Sequence, residues 1–297
     1  MVEALETIGS AVGEIATRAA SGVVGISGTW RGASGVVIGD GRVLTNAHNV
    51  HDDEVEVTLP DGQTVTGTVA GIDEDGDLAV VSVDTSGASA LDWAPDASLA
   101  TGALVIAAAA SGSGARVTVG FVSGTTRAFR GPRGRRIRGS IEHTAPMASG
   151  SSGSALIDAQ GRLVGINTNR VGGGFYLAIP TDSALRARVD ALARGEAPQR
   201  LRLGVGLAPS WAAQRMRRAV GLPDRDGVLV RDVDPDGPAA SAGIEVGDLI
   251  VAAGGRALSS VDDLGDAIGA AGDDHKLELT IVRGVEERTV EVELAVP

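Results

Sequence analysis

A histidine, an aspartate and a serine occur in the order His48, Asp77, Ser152, each in a setting suited to nucleophilic hydrolysis. A serine hydroxyl attacks a carbonyl only when a base takes its proton. An imidazole can do that near neutral pH, and a buried carboxylate fixes the imidazole's tautomer. His48 ends a run with strand character, Gly35 to His48, that would carry the ring to a fixed point. Asp77 is followed at once by Leu78-Ala79-Val80-Val81, an apolar run that would bury its carboxylate. Ser152 stands in Gly150-Ser151-Ser152-Gly153, a glycine-flanked turn whose backbone N–H groups can face a developing oxyanion. The N–H groups of Gly150 and Ser152 are the expected donors, and losing one such donor costs about 10²–10³ in turnover. The three residues imply hydrolysis through a covalent serine intermediate, chemistry that needs no cofactor.

The elements that must position these residues are β-rich. From about Val23 to Ile179, short runs of Val, Ile, Leu and Ala alternate with Gly, Asp and Ser turns, as in a closed or sandwiched all-β domain. Aromatic residues make up 2% of the chain and glycines number 43, so aliphatic side chains must fill the cores and many turns must be tight. At 297 residues the chain can bury two cores. Before the β region, Leu5, Ile8, Val12, Ile15 and Ala16 have the spacing of an amphipathic helix. After it, Thr181 and Asp182 offer N-caps for a helix through Leu185, Val189 and Leu192, which Gly195-Glu196-Ala197-Pro198 stops.

Five segments in order resemble the HtrA (high-temperature-requirement) family of serine proteases: Thr45-Asn46-Ala47-His48-Asn49-Val50, Asp75-Gly76-Asp77-Leu78-Ala79-Val80, Gly150-Ser151-Ser152-Gly153-Ser154-Ala155-Leu156, Gly165-Ile166-Asn167-Thr168 and Leu177-Ala178-Ile179-Pro180. The resemblance implies a mainly β chain, with a trypsin-like double six-stranded β-barrel followed by one PDZ domain, β-rich with two helices. The expected division is a helical segment at 1–22, a protease domain at 23–183, a helix and linker at 184–199 and a PDZ domain at 200–297. In the trypsin-like arrangement the base of the specificity pocket lies six residues before the nucleophile, at Pro146. Its neighbours Ala145, Met147 and Ala148 are uncharged, which argues for small aliphatic residues before the cut bond and against Lys or Arg. The resemblance adds Asn167, Thr168 and Leu177 to that pocket. Two departures stand out. Ser154 and Ala155 follow the Ser-Gly where the family usually has a second glycine and a proline, and Ser151 precedes Ser152 where zymogen enzymes carry an aspartate.

The PDZ resemblance rests on Gly227-Val228-Leu229-Val230, Gly237-Pro238-Ala239-Ala240-Ser241-Ala242-Gly243-Ile244 and Gly247-Asp248-Leu249-Ile250-Val251. Leu203-Gly204-Val205-Gly206 stands where such domains offer N–H groups to a peptide's terminal carboxylate, and the strand edge that follows would pair with the peptide. Ser260 to Ala271 reads as the groove helix, with Leu264 and Ile268 either lining the pocket or lying in the core. The implied partners are unfolded proteins or peptides, C-terminal peptides at the groove, and further copies of the chain in a trimer. The rival reading is a non-proteolytic peptide-binding or chaperone scaffold.

Other signals carry less. The net charge of −12 divides evenly, with 21 acidic and 15 basic residues in 1–199 and 17 and 11 in 200–297, so neither part is expected to bind nucleic acid. Arg127, Arg130, Arg133, Arg135, Arg136 and Arg138 read as a solvated loop or, by resemblance, a sensor loop in which Arg127 relays peptide contacts to the oxyanion turn. His51, three residues after His48, is read as a surface residue rather than half of a metal pair. His143 is read as structural and His275 as exposed. Asp73 to Asp77 lacks the glycine a calcium loop needs, since Leu78 stands at that position. With no cysteine, disulfides and thiolate metal sites are excluded. No apolar run reaches the length of a membrane span, and no export signal is read, so the chain as written is expected to be soluble. The compartment stays open between an anchored extracytoplasmic form and an intracellular one.

Overall fold

The computed structural model describes residues 2–27, 32–39, 41–94, 99–112, 114–131, 136–196, 201–271 and 274–296. They form two compact units, Met1–Pro198 and Gln199–Pro297. In the first, helix α1 (Val2–Ala20) precedes β1 (Val23–Ser27), β2 (Ala33–Gly39), β3 (Arg42–Thr45), β4 (Glu54–Thr58), β5 (Thr64–Asp73) and β6 (Leu78–Ser82). These strands close a barrel in the order β1-β2-β3-β6-β5-β4. The second barrel takes β7 (Leu104–Ser111), β8 (Gly114–Arg130), β9 (Arg136–His143), β10 (Ala155–Asp158), β11 (Leu163–Gly172) and β12 (Phe175–Pro180), in the order β10-β11-β12-β9-β8-β7.

Two strands beside the chemistry are buried on both faces. In β6, Ala79 and Val81 join the cluster inside the first barrel, while Leu78 and Val80 join a cluster drawn from both barrels. In β10, Leu156 packs inside the second barrel, and Ala155 and Ile157 face the shared cluster. Period-two alternation sends successive side chains into two different cores, so the runs are apolar throughout. Asp77 and the Ser152 turn each lie directly before such a strand.

Helix α2 (Ser183–Ala193) starts at Asp182, whose side chain accepts a hydrogen bond from the Leu185 N–H at 2.7 Å. Its Leu185, Val189 and Leu192 complete the shared cluster, so a helix expected in the linker is folded into the first unit. Val12 and Ile15 of α1 pack on the same cluster and Ala19 is buried, while Ile8 is exposed. The arginine-rich segment expected to be a loop is largely a ladder. β8 and β9 pair Arg127 with Ser140, Phe129 with Ile137 and Arg130 with Arg136. Arg133 and Arg135 lie outside the described residues.

The second unit comprises β13 (Val205–Ala208), α3 (Ser210–Ala219), β14 (Val228–Val233), α4 (Pro238–Ser241), β15 (Leu249–Ala253), β16 (Arg256–Ala257), α5 (Val261–Gly269), β17 (Lys276–Arg283) and β18 (Glu286–Glu293). Its sheet runs β13-β14-β15-β17-β18, with β16 on β15, so β13 is an edge. Helix α5 is capped by Ser260 and further anchored by Asp263, which accepts from the Ser259 N–H and hydroxyl. The Ser259 hydroxyl bond is the main cause that holds the Asp263 carboxyl down at about 2. Leu264 is 1% exposed and packs in the core of this unit, whereas Ile268 is only partly buried at the core's margin.

Candidate active site

The His48 side of the site is set by a short 3₁₀ turn, Ala47–Asn49, that follows β3. His48 Nδ1 lies 2.8 Å from Asp77 Oδ1, and the His48 backbone N–H donates to the same oxygen at 3.3 Å. The second carboxylate oxygen accepts from Thr168 Oγ1 at 2.7 Å. Asp77 is fully buried, its backbone is left-handed with φ 56°, and its carbonyl is held by Asn46 Nδ2 at 3.0 Å. A buried carboxylate with donors on both oxygens holds the imidazole with Nδ1 protonated, which leaves Nε2 free as a base.

The nucleophile turn is held from both barrels. From the first, the Ser34 N–H donates to the Ser152 carbonyl at 2.9 Å, and Ser34 Oγ donates to the Gly150 carbonyl at 3.0 Å. The same Ser34 hydroxyl accepts from the Ala110 N–H at 3.1 Å. From the second, the Gly153 N–H donates to the Asn167 carbonyl at 2.8 Å, and the Asn167 N–H donates to the Ser154 carbonyl at 2.9 Å. Gly150 and Gly153 have φ of 87° and 84°, which only glycine adopts freely. A Cβ on Gly153 would stand 2.1 Å from the Ser34 carbonyl oxygen.

The N–H groups of Gly150 and Ser152 donate to nothing among the described residues, as an oxyanion pocket requires. The Ser152 hydroxyl donates to the Thr168 carbonyl at 3.2 Å, its one hydrogen bond among those residues, so it rests without a hydrogen bond to His48. Thr168 therefore touches both ends of the triad.

Two residues expected in the substrate pocket are committed elsewhere. Asn167 is fully buried, donates from Nδ2 to Ser154 Oγ at 2.9 Å and to the Ala155 carbonyl at 3.0 Å, and accepts from His143 Nε2 at 3.0 Å, which leaves nothing for a substrate. The Thr168 hydroxyl is spent on Asp77. Leu177 is 1% exposed, and Pro146 is exposed with its carbonyl accepting from Thr118 Oγ1. Ser154 points into the second barrel toward Asn167, so the departure from glycine adds no side chain to the cleft.

His143 stacks on Tyr176 with ring centroids 5.9 Å apart, and its Nδ1 is buried without a partner. Burial pushes its pKa down to about 4, against the smaller opposing effect of the Asn167 bond. His51 is exposed, His275 is partly buried, and no cluster of metal-ligating side chains occurs among the described residues. Arg127 pairs with Glu142, which also accepts from Ser123 Oγ at 3.0 Å. No helix among the described residues is long and apolar enough to cross a membrane.

Sequence reasoning missed Ser34, Thr45 and Asn49, three buried polar residues on the first-barrel side of the turn. Their signal was a hydroxyl within, or at the end of, an otherwise apolar strand, and an amide one residue after the catalytic base.

A family model for the trypsin-like peptidase domain matches residues 33–166, and one for the PDZ domain matches 202–294. The putative serine protease HhoA of Synechocystis sp. is 36% identical over 282 residues, covering 89% of this chain and 70% of its own length. This chain belongs to the HtrA family of serine proteases. A probable periplasmic serine endoprotease DegP-like of Halomonas elongata is 32% identical over 268 residues, which cover 88% of this chain and 55% of the relative. The mitochondrial serine protease HTRA2 of Drosophila pseudoobscura pseudoobscura is 29% identical, with 88% and 65% covered. The HtrA chain thus spans between about half and about two thirds of the length of most of these curated relatives.

Among solved structures, the HtrA-type protease AlgW with a decapeptide superposes with a TM-score of 0.80 at 25% identity, covering 95% of this chain and 98% of that one. A serine endoprotease from Yersinia pestis gives 0.74 at 26%, covering 96% and 97%. The fold is the mainly β HtrA architecture, a trypsin-like double barrel followed by one PDZ domain. In the latter, the N–H groups of Leu203 and Gly204 donate to nothing among the described residues, and Gly204 has φ 77°. Val205 and Gly206 open the edge strand β13, whose outer side no described strand covers.

Proposed function

We propose that this HtrA protein is a serine endopeptidase that cleaves unfolded or damaged proteins through an acyl-enzyme. The observation that carries the reading is the Asp77–His48 couple, its carboxylate buried and doubly anchored, beside a glycine turn with two N–H groups unspent among the described residues. In the reaction the Ser152 hydroxyl rotates from the Thr168 carbonyl to His48 Nε2, gives up its proton there and attacks the substrate carbonyl. The resulting oxyanion accepts from the Gly150 and Ser152 N–H groups. Asp77 stabilises the imidazolium, which returns the proton to the leaving amine, and a water then repeats the sequence to release the acyl group.

Residues 23–183 do this work, 184–199 support and connect them, and 200–297 recruit C-terminal peptides. The recruiting role is supported by the free N–H groups at Leu203 and Gly204, by the open edge at Val205 and Gly206, and by Ile268 at the margin of the core. The uncharged Ala145-Pro146-Met147-Ala148 segment supports a preference for small aliphatic residues before the cut bond. A homotrimer belongs to the same proposal, and exposed Ile8, Val119 and Phe121 offer apolar surface for it.

The test is time-resolved cleavage of unfolded casein by the wild type and by Ser152→Ala, with and without a peptide bearing a free apolar C-terminus. Cleavage that disappears in the variant supports the endopeptidase, and acceleration by the peptide ties recruitment to catalysis. Persistent cleavage by Ser152→Ala, or cleavage mapped chiefly after basic or aromatic residues, rejects the roles assigned here.

A further inference from the structure

The 3₁₀ turn that presents His48 also presents Asn49, whose side chain crosses to the nucleophile. Asn49 is 3% exposed, and its Nδ2 donates to the Ser152 carbonyl at 3.1 Å and to Thr45 Oγ1 at 2.9 Å. Thr45 Oγ1 in turn donates to the Ser34 carbonyl at 2.7 Å. Both protons of the amide are thus spent, one on the nucleophile's own backbone and one on the strand that delivers the histidine. The Asn49 backbone is fixed as well, with its N–H donating to the Asn46 carbonyl at 3.1 Å. The missing Cβ of Gly153 makes room for the contact, since an added one would stand 3.0 Å from Asn49 Nδ2.

We propose that Asn49 is a positioning residue that, beside Ser34, ties the nucleophile turn to the histidine turn, so that its amide helps to set the distance from Ser152 to His48. The inference rests on the endopeptidase reading. Ser152 must rotate its hydroxyl while its Cα stays in place, and the two donors on its carbonyl, Ser34 N–H and Asn49 Nδ2, hold it there. The amide reaches no substrate, so its loss acts on the chemical step and not on substrate binding.

Asn49→Leu removes both bonds at similar volume, and Asn49→Asp keeps the shape but sets oxygen against oxygen. For each, kcat and KM on a chromogenic peptide are measured beside the second-order rate of Ser152 labelling by a fluorophosphonate, with the folded fraction taken from thermal melts. The expected result is a fall of about ten- to a hundredfold in kcat and in labelling rate per folded molecule, with KM within about twofold. If Asn49→Leu fails to fold, Asn49→Asp decides on the same readouts. Unchanged kcat and labelling in a folded variant, or a loss explained by the unfolded fraction alone, overturns the proposal. A wild type that the fluorophosphonate does not label overturns the endopeptidase reading itself, so the two failures are distinguishable.

Discussion

Thr168 joins the two ends of the site through different atoms, its hydroxyl donating to Asp77 and its carbonyl holding the resting Ser152 hydroxyl. Thr168→Val deletes only the first. Asp77 is then less firmly oriented, and kcat is expected to fall by about ten- to a hundredfold with KM nearly constant in steady-state assays. Gly153→Ala must displace a backbone carbonyl at 2.1 Å and strain a residue at φ 84°, and it should abolish fluorophosphonate labelling while lowering the melting temperature. His143 gives a prediction in pH. Its folded pKa is about 4 against an ordinary 6.5, so between these values the unfolded chain binds the proton more readily. Stability is therefore full above about 6.5 and declines as the pH falls toward about 4, by up to roughly 3 kcal/mol. In His143→Gln, melts recorded from pH 7 to 4 should lose this part of the slope.

At the scale of elements, much of the scaffold was legible and some of its wiring was not. The apolar run after Asp77 announced a buried segment, and β6 is a strand buried on both faces. The N-cap at Asp182 and the apolar face of α2 were equally readable, because both follow from local chemistry. The arginine segment misled because clustered like charges suggest solvation, whereas cross-strand pairing between β8 and β9 overrides that preference as far as Arg130 and Arg136. Hydrogen exchange should accordingly show protected amides in both 127–130 and 136–140. Asn167 and Thr168 were placed in the pocket by motif alone. Whether their side chains face a cleft or a core depends on β11 register against β12, which no single-sequence pattern encodes.

At the scale of the molecule, each unit has a core of its own, and the second is built around residues such as Leu264, Leu279 and Ile281. Leu264→Ala should destabilise that unit by about 2–5 kcal/mol, read as an earlier calorimetric transition, while fluorophosphonate labelling at low temperature is unaffected. Within the first unit the triad is divided, with His48 and Asp77 on one barrel and Ser152 on the other. Ser34 binds the two together at the nucleophile turn through its N–H and its hydroxyl. A chain emerging from the ribosome therefore carries the His48–Asp77 pair before the turn that the pair activates, and the Thr168 hydroxyl that completes the anchoring of Asp77 comes later still. A complete site therefore exists only once β10 and β11 of the second barrel have docked on the first.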